Sequence, residues 1–382
     1  MFTLYKFELR KIISRKIVWI TGGILLLGLL IWGIASAVLP QNREYSVGSL
    51  SGYEANRAER EAAEQISGRA IDQTLIDEMR PQYEDFVFNG NIKAALPYID
   101  IYDFIASTIG THETSKVLNM DSDMFYSVLN SQLEANTPAG IAINTSIDEP
   151  IIYRGYFDGW RKITDMMKLL SCIEIMFITI CLSTVFTIEH TRKTDQLILC
   201  SRFGKKKLYT AKILAGLTVG ISFTLLLSLL MFGIIAFLYG FDGFNTELQF
   251  VLLRPLAITV GQAALILVAL SFAGAALISV FTMMLSEITK NSIATIGVIT
   301  GVLLITMFIM EMPATLKLLS EIWYILPSNL VSLNGAFRYS IFNIAGNSLV
   351  AYQYVPIVYL VATIIFILIG KTTYNRYQIS GR

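Results

Sequence analysis

The sequence predicts an all-α polytopic membrane protein with six transmembrane helices. The chain of 382 residues is 54% hydrophobic and only 15% charged, whereas soluble domains are roughly 25% charged. Long apolar stretches recur along it, and about 20 apolar residues are enough for a helix to cross a bilayer. Because these stretches are apolar on every side, they do not fit the amphipathic helices of a large soluble protein.

Six stretches are candidate spans, in the order TM1 to TM6. TM1 is residues 17–39, TM2 is residues 169–187, TM3 to TM5 lie within residues 213–310, and TM6 is residues 354–370. TM1 follows basic residues and ends near Ala35-Ser36-Ala37, which is similar to a signal-peptide cleavage site. Its apolar run is much longer than the roughly 7–15 residues of a signal h-region, so we interpret it as an uncleaved anchor.

The distribution of Lys and Arg predicts that both termini are cytoplasmic. Basic residues concentrate in residues 1–16, in the TM2–TM3 connection 188–212 and in the tail 371–382. With six spans these three segments share one side, and the positive-inside rule makes that side the cytoplasm. Residues 1–16 also repeat apolar residues at helical spacing, which predicts an amphipathic helix in the cytoplasmic interface. A basic flank without such a role is the alternative.

Two segments are predicted on the opposite side of the membrane. Residues 40–168 are polar and acidic and suit a mainly helical extracytoplasmic domain, with helices over residues 53–83 and 121–135. Residues 311–353 hold two apolar pieces too short to span, which are candidates for re-entrant or interfacial helices before TM6. Four aromatic residues before TM2 suit an interfacial belt, with ligand contact as the alternative: Tyr153, Tyr156, Phe157 and Trp160.

The chain lacks the motifs of a catalytic or self-powered membrane protein. It contains no Gly-x-x-x-x-Gly-Lys-Ser/Thr phosphate loop, no Gly-x-Ser-x-Gly elbow and no His-Glu-x-x-His pair. We therefore expect no enzyme activity, cofactor, metal or nucleic-acid partner for this chain. Glu174 is the one formal charge inside a predicted span, and it either has a structural role or lines a substrate path. Gly216-x-x-x-Gly220 in TM3 and a similar pair in TM5 permit close helix contacts within or between protomers.

The basic connection 188–212 contains a short helix signal of its own. Thr194 is a good N-cap, Asp195 suits a first helical turn, and Gly204 can end the helix. A helix of about nine residues is marginal by itself in water, so it needs a surface to lie against. We expect that surface to belong to another protein. The apolar contact would come from three consecutive residues: Leu197, Ile198 and Leu199.

These features resemble the membrane permease subunits of ABC transporters of the ABC-2 (type V exporter) kind. Three segments carry the likeness: the amphipathic start, the connection 188–212, and the apolar segment 311–353 before the last span. The likeness covers the chain except residues 40–168. In the connection, it is carried by Glu189, Thr194, Asp195, Leu197, Leu199, Ser201, Arg202, Gly204 and Lys212.

The resemblance implies a division of labour between chains. This chain would be the membrane-spanning subunit of an ATP-driven exporter in the plasma membrane of a prokaryote. A separate ATPase subunit would bind ATP and Mg and dock on residues 188–212, where Arg202 would pair with its acids or with lipid headgroups. A second permease chain, identical or related, would complete the path. Hydrophobic or antimicrobial peptides, lipids and drugs are the substrates considered. The alternative is a membrane sensor or scaffold with a ligand-binding external domain and no transport.

Overall fold

Helices make up most of the computed structural model, which describes residues 1–39, 51–137, 150–191, 206–309, 312–313, 315–344 and 347–376. The chain begins with α1 (Phe2–Ile13) and α2 (Lys16–Val38). Six helices then follow, which we call the α3–α8 domain: α3 (Gly52–Ala63), α4 (Gln73–Asn89), α5 (Ile92–Ala95), α6 (Ile99–Ile109), α7 (Thr114–Leu118) and α8 (Ser122–Ala135). Five further helices follow: α9 (Asp158–Leu182), α10 (Thr184–Thr191), α11 (Lys206–Leu238), α12 (Val260–Thr289) and α13 (Ser292–Phe308). The last part contains α14 (Lys317–Ile325), α15 (Pro327–Leu330), α16 (Leu333–Ala336), β1 (Tyr339–Ile344), β2 (Asn347–Val350) and α17 (Ala351–Arg376).

The apolar helices support a multi-pass membrane protein. Among the described residues, five helical segments are long and apolar enough to cross a membrane: Lys16–Val38, Asp158–Thr191, Lys207–Leu238, Val260–Thr289 and Ala351–Asn375. The predicted TM5 forms α13, which is apolar but has 17 residues. At about 1.5 Å per residue, α13 measures roughly 26 Å, slightly less than the ~30 Å hydrocarbon core. The sixth span therefore stays a prediction.

The bundle of apolar helices has two distinct ends. At the one that we call the terminal end, Phe186 of α10 packs against Tyr209 of α11 and against Tyr374 near the end of α17. At the opposite, domain end, the Asn56 side chain of α3 donates a hydrogen bond to the carbonyl of Leu238, the last residue of α11 (3.3 Å). The domain formed by α3 to α8 and the C-terminus of α17 thus lie at opposite ends of the bundle.

Helix α9 lies at the centre of the bundle. In the most apolar part of the segment formed by α9 and α10, 72% of the residues are buried. The corresponding fraction is 17% in α2 and 17% in α17. Helix α11 lies so close to α12 that a Cβ atom at Gly216 would overlap Met283, and one at Gly220 would overlap Ser279. This glycine pair therefore makes a contact within the chain, whereas the pair in α13 faces open space.

The α3–α8 domain differs from the sequence prediction at one point. Residues 53–83, predicted as one helical stretch, are divided between α3 and α4. Gly68 adopts a positive φ of 85° between them, and Ala70 forms an isolated antiparallel bridge with Ile152. Asp72 then caps α4 by accepting a hydrogen bond from the Leu75 N–H (2.9 Å). The helix predicted over residues 121–135 is present as α8.

Helix α9 begins at Asp158, well before residue 169, where TM2 was predicted to start. The aromatic residues before TM2 are buried and do not form an interfacial belt, so that prediction is wrong. Trp160 packs against Phe241 and Phe244, and Phe157 packs against Phe250. These rings join the start of α9 to the connection between α11 and α12.

The mostly helical chain supports the all-α prediction, but the segment before α17 is only partly helical. Residues 330–344, predicted as a re-entrant or interfacial helix, contain the short α16 and strand β1, which pairs with β2 in an antiparallel hairpin. Helix α15 packs into the bundle, because Ser171 of α9 donates to the Pro327 carbonyl (3.2 Å) and Ser328 bonds Thr306 of α13 (2.9 Å). At the hairpin, the Tyr339 hydroxyl reaches the carbonyl of Pro255 (3.4 Å).

Candidate functional site

The docking helix predicted from the sequence lies outside the described residues. Helix α10 ends at Thr191 and α11 begins at Lys206. Glu189, just before this gap, and Lys212, just after it, are described. The predicted coupling residues between them are not: Thr194, Asp195, Leu197, Ile198, Leu199, Ser201, Arg202 and Gly204.

Glu189 and Lys212 form a buried ion pair that joins α10 to α11. The Lys212 Nζ atom lies 2.6 Å from Oε1 of Glu189, and the side chains are 0% and 6% exposed. Lys212 also donates a hydrogen bond to the Val185 carbonyl (3.1 Å) and lies over the Phe186 ring (5.0 Å to the centroid). Because a buried ammonium is strongly destabilising without a partner, this pair fixes the end of α10 to the start of α11.

Two residues of α1 complete the arrangement. Lys11 donates to Oε1 of Glu189 at 2.8 Å, and Glu8 lies 3.8 Å from both Lys11 and Lys212. Glu8, Lys11, Glu189 and Lys212 together form what we call the charge cluster. Two carboxylates balance two ammonium groups, so each buried charge has an opposite neighbour.

Helix α1 is also fixed to the bundle by neutral contacts. Its Ile12 side chain is buried, and the Tyr5 hydroxyl bonds Thr218 of α11 (2.9 Å). Arg15, directly after α1, donates to Thr184 of α10. The amphipathic helix predicted at the start of the chain is therefore present and packed, while its position in a membrane interface stays a prediction.

A second buried contact connects α10 to α12. The His190 Nε2 atom lies 3.5 Å from Oε2 of Glu287, whose side chain is 0% exposed. The Ser286 hydroxyl donates to the Ser183 carbonyl at the junction of α9 and α10 (2.6 Å). Helix α10 is thus held by α1, α11 and α12 directly before the gap.

Glu174 is a residue of α9, and its side chain, 3% exposed, lies against α11. Its carboxylate accepts a hydrogen bond from the Thr224 hydroxyl (2.7 Å). Among the described residues, no Lys, Arg or His forms an ion pair with it. This contact supports a structural role, and a position on a substrate path stays a prediction.

The sequence reasoning missed Glu8, Lys11 and Glu287 as site residues. Glu8 and Lys11 belong to a segment that was interpreted through its net positive charge. Glu287 lies within residues 213–310, the region of TM3 to TM5, and belongs to none of the motifs described above. Opposite charges at the ends of different spans were the available signal, because buried charges are found paired. No three His, Cys, Asp or Glu side chains come together as metal ligands within the described ranges.

Comparison with known proteins identifies a family for the chain. A family model described as "ABC-2 family transporter protein" matches residues 2–325. The match includes residues 40–168, which the sequence resemblance left out, and it contains the charge cluster and residues 188–212. No curated protein and no solved structure matches the chain.

Proposed function

The chain belongs to the ABC-2 family of transporter proteins, and from this premise we propose that it is the permease of an ATP-driven exporter whose ATPase is a separate chain. Family membership makes it a membrane-spanning transport subunit. The direction of transport, the coupling to an ATPase and the substrate are the proposed parts.

The charge cluster is the observation that carries this proposal. A loop that passes a displacement to the membrane helices needs both its ends fixed to the bundle. Glu189 and Lys212 join those ends at 2.6 Å, and Lys11 adds α1 to the same contact. An ATPase docked on residues 192–205 would therefore act on α1, α10 and α11 together. ATP-dependent binding to one bundle conformation more tightly than to another would shift their populations.

The path of the chain supports the proposed topology. The α1 helix, the charge cluster and the end of α17 lie at the terminal end, where basic residues are abundant, so we assign this end to the cytoplasm. Helix α12 ends at the terminal end of the bundle, whereas the hairpin lies at the domain end. The chain between them contains α13, so α13 would cross the bundle. This supports six crossings, with both termini cytoplasmic and the α3–α8 domain outside, in the plasma membrane of a prokaryote.

An apolar cavity supports a hydrophobic substrate. It has a volume of about 300 Å³ and lies between α9, α12, α13, α15 and α17. Its walls include Ile175, Leu277, Val298, Pro327 and Phe366. Such a lining suits hydrocarbon chains and apolar side chains, so hydrophobic peptides, including antimicrobial ones, lipids and apolar drugs stay the proposed substrates. A second permease chain would complete the path.

Transport by a reconstituted complex tests the proposal. The chain and its ATPase are placed in proteoliposomes, and efflux of a fluorescent hydrophobic peptide is followed with ATP and with a non-hydrolysable analogue. We expect efflux with ATP but not with the analogue, and we expect the peptide to stimulate ATP hydrolysis. A sensor or scaffold would bind the ATPase without either response, and that result would reject the permease role.

A further inference from the structure

A large cavity lies where the α3–α8 domain meets the bundle. Its volume is about 840 Å³, within the roughly 300–1,000 Å³ of small-molecule sites. The walls come from α3 and α6 of the domain, from the start of α9, from the α11–α12 connection and from α16. A molecule in this cavity would therefore touch the domain and the bundle at once.

The walls of this cavity carry an excess of negative charge. Five carboxylates line it, namely Glu59, Asp100, Asp103, Asp158 and Asp165, against three basic side chains, namely Arg161, Lys162 and Arg254. The formal difference is two negative charges when every carboxyl group is ionised. In a concave site, such an excess raises the local concentration of cations.

The contacts within the cavity show how its charges are paired. Arg161 forms an ion pair with Asp158, with Nη2 2.6 Å from Oδ1, and its charge also acts on Asp100 and Asp103. Asp100 instead accepts a hydrogen bond from the neutral Tyr153 hydroxyl (2.6 Å). Burial and the negative charge of Asp158 raise the pKa of Asp100 to about 7, although the positive charge of Arg161 acts in the opposite direction. The carboxylate of Asp100 would therefore gain from an incoming cation.

The uncharged part of the wall combines polar side chains, such as Gln249 and Asn334, with an aromatic and aliphatic patch. Phe104 stacks on Phe250 with the ring centroids 4.3 Å apart, and both rings line the cavity with Phe157 and Leu252. Aromatic faces attract cationic groups and also bury apolar surface. A ligand that matches this cavity combines positive charge with an apolar body.

We propose that this cavity binds a small amphiphilic cation, a ligand with amino or guanidino groups on an apolar body. The site goes beyond the proposed permease role and does not depend on it, because binding requires neither the ATPase nor transport.

Binding of two peptides of opposite charge and the same length tests the site. The full chain is placed in nanodiscs of zwitterionic phosphatidylcholine without an ATPase. The probes are dansyl-labelled tetrapeptide amides, Lys-Leu-Lys-Leu and Glu-Leu-Glu-Leu, and fluorescence anisotropy gives each Kd. We expect saturable binding of the lysine peptide alone, weakening as salt screens the charges. Equal binding of both peptides, or no saturable binding of the lysine peptide up to about 1 mM, overturns the proposal.

Three variants locate the binding. Asp103→Asn removes a wall charge and should weaken binding of the lysine peptide about three- to tenfold, whereas Arg254→Gln should strengthen it by a similar factor. Glu84→Gln makes the same charge change on the exposed face of α4, outside the cavity, and should leave Kd unchanged. Thermal unfolding of each variant identifies misfolding. The tighter peptide binding expected for Arg254→Gln cannot arise from misfolding. Unchanged Kd values for both cavity variants overturn the proposal.

Discussion

The charge cluster makes a quantitative prediction about stability. The variant Glu189→Gln removes one of the two carboxylates of the cluster. Lys11 and Lys212 would then share the carboxylate of Glu8, which lies 3.8 Å from each of them. Because Lys212 is 0% exposed, the loss of its close partner should cost about 3–5 kcal/mol. Lys212→Met should cost less, since Glu189 keeps Lys11 at 2.8 Å. The double variant leaves one carboxylate and one ammonium, so its cost should fall clearly below the sum of the single costs.

Unfolding in mixed micelles by SDS, followed by tryptophan fluorescence, measures this double-mutant cycle. We expect an interaction energy of about 2–3 kcal/mol between Glu189 and Lys212. The exposed pair Arg57–Glu61 on α3 is the matched control, because its atoms lie 2.7 Å apart but its side chains are 67% and 62% exposed. Its cycle should give roughly 0.5 kcal/mol or less. Equal interaction energies for the two pairs would show that burial does not strengthen the Glu189–Lys212 pair.

Three further predictions concern the bundle and the domain. Gly220→Leu should destabilise the chain by about 1–3 kcal/mol through overlap with Ser279, whereas Gly301→Leu, which faces open space, should be tolerated; SDS unfolding compares them. Trp160→Ala removes the ring packed on Phe241 and Phe244 and should cost about 3–5 kcal/mol, with faster proteolysis of the α3–α8 domain than of the bundle. The pKa of Asp100 is raised to about 7 by burial and by Asp158, so the folded state holds this proton more tightly than the unfolded chain does. The stability that this proton contributes is full at low pH and is lost as pH rises through 7. The Tm should therefore fall between pH 5.5 and 8, and it should fall less in Asp100→Asn. An identical dependence of Tm on pH in that variant would show that Asp100 is not the group responsible.

The sequence predicts the apolar helices well because about 20 consecutive apolar residues are a strong local signal. It misses the start of α9 because Asp158, Arg161 and Lys162 are charged, which favours a position outside the membrane. Helix α9 nevertheless continues through them, since they line a polar cavity against the domain. The charge of a residue indicated its compartment but not whether it continues a helix.

The hairpin and the charge cluster were out of reach for a related reason. The apolar run before residue 344 is too short for its period to distinguish a helix from a strand. The cluster joins Glu8 to Lys212, and no local pattern connects residues so far apart in the chain. The motif in residues 188–212 still directed attention to Glu189, because the end of a coupling loop must be fixed to the bundle.

Co-purification tests most directly whether a separate ATPase acts through residues 188–212. The ATPase is expressed with the tagged chain, with Leu197→Asp/Leu199→Asp, or with Val87→Asp/Phe88→Asp, which changes exposed apolar residues of the α3–α8 domain. We expect a stoichiometric complex for the original chain and the control, and loss of the ATPase from the loop variant while that variant keeps its Tm. A loop variant that still carries the ATPase and transports substrate would exclude coupling through residues 188–212.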